Sequence, residues 1–134
     1  MPIKKVPHYS SEAAKHYINI SYETLLASWL LQDGWDVFMP MIDHGSKTDV
    51  LISDGKNYYR IQVKSLESND ETTRVHEQWH GVDIDYVVYF TKSGNWGYIA
   101  LPFRGKRAVN HAEHVRFHQH PANFSKAFKR VSYC

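Results

Sequence analysis

Residues 48–65 read Thr48-Asp49-Val50-Leu51-Ile52-Ser53-Asp54-Gly55-Lys56-Asn57-Tyr58-Tyr59-Arg60-Ile61-Gln62-Val63-Lys64-Ser65. Two runs rich in β-branched and aromatic residues flank the turn signal at 54–57, a pattern that predicts a β-hairpin. A two-residue loop at Gly55 and Lys56 would place Asp49 directly opposite Gln62. Lys64 would then lie on the same face of the hairpin as these two side chains.

The apolar residues of the hairpin support this pairing independently. In the same register, one set of apolar side chains falls together on the opposite face: Val50, Ile52, Tyr59, Ile61 and Val63. A slip of one residue would move a whole set of side chains to the other face, and a three-residue loop would break the agreement. The sequence therefore predicts one apolar face and one polar face.

The polar face has the composition of a site for a divalent cation beside a phosphate group. Asp49 and the Gln62 carbonyl group offer the oxygen ligands that Mg²⁺ prefers, and Lys64 can stabilise charge on a phosphoryl group or hold an attacking water. The other interpretation is a solvated face without function, because antiparallel sheets often leave one face in water.

The segment resembles the signature of the PD-(D/E)XK nuclease superfamily, in which Asp49 is followed by the triplet Gln62-Val63-Lys64. Residues 45–51 are similar to the approach segment of its Holliday-junction resolvase branch. A glutamate on the first helix joins the metal site in that branch, and Glu23 stands on a predicted helix upstream. The resemblance spans about residues 20–102 and implies an α/β, restriction-endonuclease-like fold, a mixed sheet flanked by helices.

The resemblance implies a metal-dependent DNA endonuclease that hydrolyses phosphodiester bonds on branched or site-specific DNA, with Mg²⁺ or Mn²⁺ as cofactor. Lys64 would be the catalytic cation. The implied metal ligands are Glu23, Asp49, Gln62 and the backbone carbonyl group of Val63. DNA is the implied partner, and a homodimer is expected because small members of the family pair their sites to cut two strands.

Two positions depart from the usual motif. Thr48 stands where proline is common, and Gln62 replaces the acidic residue that usually completes the metal site. Some homing endonucleases of the superfamily carry glutamine there and are active. The alternative is a catalytically weak or inactive DNA-binding module of the same fold.

Basic residues are concentrated near the end of the chain. Residues 104–134 hold seven lysines and arginines and one acidic residue, whereas the rest of the chain is more acidic than basic. This segment is predicted to follow a phosphate backbone and to be helical over 105–118 and 122–131. The predicted DNA contacts are Ser46, Lys47, Arg104, Lys106, Arg107, Arg116, Lys126, Lys129 and Arg130.

A second motif competes with the hairpin. Residues 76–80 match H-E-x-x-H, in which two histidines one helical turn apart bind zinc and a glutamate activates water in metallopeptidases. His76, Glu77 and His80 would fill these roles. The polar flanks are poor for a long helix, so the zinc metallopeptidase is the less favoured interpretation. His111, His114 and His118 would share one face of the predicted helix over 105–118, where they could bind a metal or, more often, form a polar surface or a packed ring face.

The remaining pattern completes the predicted architecture. A helix capped by Ser21, joined by a helical stretch from Ser11, ends at Gly34. Strands are expected at 35–39, 84–91 and 96–101, and residues 67–81 are predicted to form a loop or a short helix that reaches over a substrate.

Composition bounds the class of protein. With 134 residues, 43% of them hydrophobic, the chain is predicted to form a single globular domain over 1–134. The single cysteine excludes an intrachain disulfide. No apolar run predicts a signal peptide or a membrane span, so a soluble, cytoplasmic protein is expected.

Overall fold

The computed structural model describes residues 10–42, 46–79 and 81–132. The elements in chain order are α1 (Ser11–Gln32), β1 (Asp36–Phe38), β2 (Val50–Ser53), β3 (Tyr58–Leu66), β4 (Arg74–His76), β5 (Tyr86–Thr91), β6 (Trp96–Ala100), β7 (Lys106–Ala108), β8 (Val115–His118) and α2 (Pro121–Ser132). Six strands form one sheet in the order β1-β2-β3-β5-β6-β8, and β4 pairs with β7 in a second sheet. Strands β3 and β5 are parallel, whereas the other pairs are antiparallel. This mixed α/β architecture confirms the predicted fold class.

The predicted register of the hairpin is confirmed. Val50 pairs with Ile61 and Ser53 pairs with Tyr58, so the same alignment places Asp49 opposite Gln62. The Asp54 N–H donates to the Asn57 carbonyl group at 3.3 Å and closes the turn. Gly55 takes a φ of 98°, which glycine adopts without steric cost.

The two helices pack on one face of the six-stranded sheet. Their buried residues, among them Leu26, Leu30, Phe124 and Phe128, form a core cluster with the apolar face of the hairpin. Alternate residues of β5 and β6 point to the other face, where a second core cluster lies beneath the β4–β7 ribbon. The polar residues of the hairpin therefore lie on the face opposite the helices.

The prediction of a helix over 105–118 is wrong. The segment forms β7 and β8, and β8 pairs with β6 at the edge of the sheet. Val115 and Phe117 point inward while Arg116 and His118 are exposed, which is the period-two pattern of a strand. Gly97 on β6 makes room for this pairing, because a Cβ atom there would lie 2.3 Å from the Phe117 ring. The predicted helix face of histidines therefore does not exist.

The first helix is continuous from Ser11, as the predicted joining of the two stretches allows. Its N-cap is Ser10, whose side chain accepts a hydrogen bond from Ala13 N–H at 3.2 Å, and not Ser21, which lies inside the helix. Gly34 follows its end with a φ of 92°. Helix α2 confirms the prediction for 122–131. Within the described ranges, neither helix combines the length and apolar character that a membrane span needs.

Candidate functional site

A cleft of about 540 Å³ opens on the polar face of the hairpin. It lies among the N-terminal half of α1, the hairpin and the β4–β7 ribbon. The residues that the nuclease resemblance implies as metal ligands and catalytic groups all line it: Glu23, Asp49, Gln62, Val63 and Lys64. Residues far apart in the sequence are thus brought to one cavity.

Asp49 is fixed in position by the backbone of the neighbouring strand. The residue is only 8% exposed, and its Oδ2 accepts a hydrogen bond from the Val63 N–H at 2.7 Å. Val63 lies two residues beyond Ile61, which is the last residue of β3 that pairs with β2. This bond orients the carboxylate just before the start of β2.

Gln62 contributes a buried oxygen atom to the cleft. The residue is 3% exposed, and within the described part of the chain its Oε1 atom is buried without a hydrogen-bond partner. A buried carbonyl oxygen without a partner is costly, and a divalent cation beside Asp49 would satisfy it. The residues present therefore fit a hard cation. Among the described residues, no three His, Cys, Asp or Glu side chains cluster closely enough to hold a metal ion. A cation site here therefore depends on the Gln62 amide as a ligand.

Glu23 lines the cleft from α1, together with Asn19 of the same helix. Asn19 joins the helix to β3 near the end of the strand, where its Oδ1 accepts a 2.8 Å hydrogen bond from the Ser65 hydroxyl group. Glu23 and Lys64 are both half-buried. The cleft thus holds two carboxylates, one amide and one ammonium group.

The wall opposite the hairpin holds Arg74 and Gln78, which the sequence prediction missed, beside His76, which it named as a candidate zinc ligand. Arg74, His76 and Gln78 line the cleft from β4 and the residues that follow it. Arg74 and His76 flank the buried Val75, so they share the outer face of the ribbon. The alternation Arg-Val-His is the only sequence signal of this short strand, and it lies in the segment predicted to be a loop or a short helix.

Several predicted DNA contacts lie on the same side of the sheet as the cleft. Lys47 lines the cleft, and Ser46 precedes it in the same loop. Lys106 is exposed directly opposite His76 in the ribbon, and Arg104 is exposed just before β7. These cations could meet a phosphate backbone that enters the cleft.

Two other predicted contacts are engaged within the protein. The Arg107 guanidinium group lies 4.4 Å from the centre of the Phe103 ring and 3.4 Å from Glu113 Oε2. Arg116 binds Glu71 through two hydrogen bonds, of 2.7 Å from Nε and 3.2 Å from Nη2. The Arg116 guanidinium group, followed by the Tyr98 hydroxyl group, lowers the pKa of Glu71. Both arginine side chains are therefore held by contacts within the protein.

The basic residues of α2 lie on the other side of the molecule. Lys126, Lys129 and Arg130 are exposed on α2, which packs against the face of the sheet opposite the cleft. A nucleic acid bound in the cleft would be separated from them by the sheet.

The H-E-x-x-H motif lacks the helix that its zinc geometry requires. His76 ends strand β4, and residues 77–79 continue without helical structure. His80 lies outside the described residues. Because the two histidines must stand one helical turn apart on one face, the metallopeptidase interpretation loses its structural basis.

Comparison with solved structures agrees with the architecture. The bacterial homing endonuclease I-Ssp6803I is similar over 66% of this chain and 69% of its own, with a TM-score of 0.52 and 18% sequence identity. The Archaeoglobus fulgidus Holliday junction resolvase Hjc is similar over 66% of this chain and 80% of its own, with a TM-score of 0.44 and 13% identity. No protein-family model and no curated protein sequence matches the chain. The likeness to I-Ssp6803I confirms the resemblance to PD-(D/E)XK nucleases at the level of the fold, which is restriction-endonuclease-like.

Proposed function

We propose that this protein is a metal-dependent DNA endonuclease that hydrolyses phosphodiester bonds with Mg²⁺ or Mn²⁺. The observation that carries the proposal is the buried, unpartnered Oε1 of Gln62, opposite Asp49 in a cleft shared with Glu23 and Lys64. The nuclease fold, which the chain shares with a homing endonuclease, supports it. A fold alone does not determine an activity, so the proposal depends on the residues of the site.

Glu23, Asp49, Gln62 and the carbonyl group of Val63 would hold the cation. Two carboxylates supply two negative charges, which match one divalent ion. When bound, the cation would polarise the phosphate and lower the pKa of a water ligand. Lys64 would stabilise the charge that develops on the phosphoryl group.

The DNA would approach from the side of the β4–β7 ribbon. Lys47, Arg74 and Lys106 lie at or beside the cleft, and their positive charge favours a phosphate backbone. A homodimer remains part of the proposal, because cutting both strands of a duplex or a junction requires two sites. Sedimentation velocity with and without DNA would test that part.

The test is cleavage of supercoiled plasmid and of a synthetic four-way junction in Mg²⁺, Mn²⁺ or EDTA. Asp49→Asn and Lys64→Ala should each reduce the rate by at least roughly a hundredfold, because the first removes a charged ligand of the cation and the second removes the positive charge beside the phosphoryl group. Asp36→Asn and Lys56→Ala are matched controls, since they make similar changes at exposed positions outside the cleft.

The possible outcomes separate the candidate functions. Metal-dependent cutting that is lost in both cleft variants and kept in both controls supports the nuclease. DNA binding without cutting of either substrate favours the inactive module, in which Gln62 marks a weakened metal site. Absence of both binding and cutting refutes DNA as the ligand.

A further inference from the structure

A second buried polar atom beside the cleft lacks a partner. Tyr89 lines the cleft and is 2% exposed, and its hydroxyl group makes no hydrogen bond within the described part of the chain. Leaving such a group unpaired costs about 1–3 kcal/mol. An unsatisfied buried group in a folded protein calls for an explanation, and a partner acquired in another state of the site is one.

The position of Tyr89 in the sheet indicates which group could reach it. Tyr89 is the parallel register partner of Lys64, so the two side chains are neighbours on one face of strands about 4.8 Å apart. The strand order β2-β3-β5 places Asp49 on one side of Lys64 and Tyr89 on the other. Lys64 therefore stands between a carboxylate and a buried hydroxyl group.

The chemistry of the two groups is complementary. Burial raises the pKa of Tyr89, so the side chain is a neutral phenol whose oxygen can accept a hydrogen bond. An ammonium group carries three donors and no acceptor, so Lys64 can serve more than one partner. Because the hydroxyl group is closed to solvent, its partner must be a neighbouring side chain or a buried water.

We propose that Tyr89 is a positioning residue, whose hydroxyl group accepts a hydrogen bond from the Lys64 ammonium group when a divalent cation occupies the cleft. This inference rests on the proposed nuclease function. With Asp49 holding a cation, the Lys64 ammonium group would lie towards the other side, where the Tyr89 oxygen would accept its hydrogen bond. Tyr89 thereby fixes the charge that Lys64 presents to the phosphate.

Tyr98, the register partner of Tyr89 on the neighbouring strand, provides a matched control. Tyr98 pairs with Tyr89 across β5 and β6, and its hydroxyl group already donates to Glu71. Tyr89→Phe and Tyr98→Phe remove the same atom from neighbouring positions. Within the described residues, the Tyr98 hydroxyl group has a hydrogen-bond partner and the Tyr89 hydroxyl group has none.

Kinetics, Mn²⁺ affinity and thermal unfolding should be compared for these two variants. Tyr89→Phe should lower kcat by roughly tenfold, while KM for DNA and the calorimetric Kd for Mn²⁺ stay within about twofold. Its Tm in EDTA should not fall, because no hydrogen bond is lost. Tyr98→Phe should lower Tm and leave kcat within about twofold.

A double-mutant cycle with Lys64→Met gives a readout independent of cleavage. The Tm changes of Tyr89→Phe and Lys64→Met should be additive in EDTA and deviate from additivity by at least about 3 °C in saturating Mn²⁺. If the wild type cuts no DNA, the proposed function fails, whereas this cycle still decides the role of Tyr89.

Two results would overturn the inference. One is an unchanged kcat in Tyr89→Phe together with additive Tm changes in Mn²⁺. The other is a lower Tm in EDTA with unchanged kcat, which would assign the hydroxyl group to a buried structural water. His114 is the candidate for sharing such a water, because its ring stacks on Tyr89 at 6.3 Å and its Nε2 also lacks a partner in the described chain.

Discussion

Substituting Gln62 by glutamate would show whether this position binds a cation. Gln62→Glu adds one negative charge at a position that is 3% exposed and directly opposite Asp49. Without metal, the new carboxylate faces an existing carboxylate in a buried site. With metal, it supplies the charged ligand that the superfamily usually places here. The substitution should therefore destabilise the metal-free protein and tighten cation binding.

The size of the effect follows from the register. Directly opposed side chains in an antiparallel pair have Cβ atoms about 5 Å apart. Two like charges at that distance repel by about 3 kcal/mol at an effective dielectric constant of about 20. Protonation of the new carboxyl group limits the cost at pH 7 to about 4 kcal/mol. In a chain of 134 residues, a loss of about 3 kcal/mol lowers Tm by about 10 °C.

Thermal unfolding followed by circular dichroism, in EDTA and in 10 mM Mg²⁺ or Mn²⁺, measures this directly. The Tm of Gln62→Glu should be lower than that of the wild type in EDTA, and the difference should disappear when metal is present. A ligand that binds only the folded state stabilises it. Gln78→Glu is the matched control, since it makes the same change on the exposed opposite wall of the cleft. It should shift Tm by less than about 3 °C in both conditions. A deficit that metal leaves unchanged would refute the cation site.

Three further predictions concern the surroundings of the cleft. Arg74→Ala should weaken DNA binding in EDTA and lower the slope of log Kd against log salt by about one, whereas Lys126→Ala, on the opposite face of the sheet, should change neither in a fluorescence anisotropy titration. Arg116 lowers the pKa of Glu71, so the stability from this pair is present above the unfolded carboxyl pKa and is lost as the pH falls through the lower folded value. Glu71→Gln should accordingly reduce the acid-induced fall in Tm between pH 6 and pH 3; an equal fall in both proteins would exclude this linkage. Gly97→Ala should cost about 2–4 kcal/mol in urea unfolding, because its Cβ atom would lie 2.5 Å from a backbone carbonyl oxygen of β5, and a loss below about 1 kcal/mol would contradict that contact.

The sequence alone determined the hairpin and the polar row on its face. The alternation of apolar side chains and the turn at Gly55 are local signals, and both require the same register. The amphipathic pattern of α2 is equally local. These elements formed as predicted because the choice between competing structures is made within a few neighbouring residues.

Only the tertiary structure decided the rest of the cleft and the end of the sheet. Val115 and Phe117 form a strand beside β6 because Gly97 leaves room for the Phe117 ring, a contact between residues twenty positions apart that no local window contains. Glu23 and Arg74 meet the hairpin only after α1 docks beside Ser65 and the β4–β7 ribbon closes over the second core cluster. Burial of apolar surface by distant segments overrides weak local preferences, which is why the composition of the site depended on the fold.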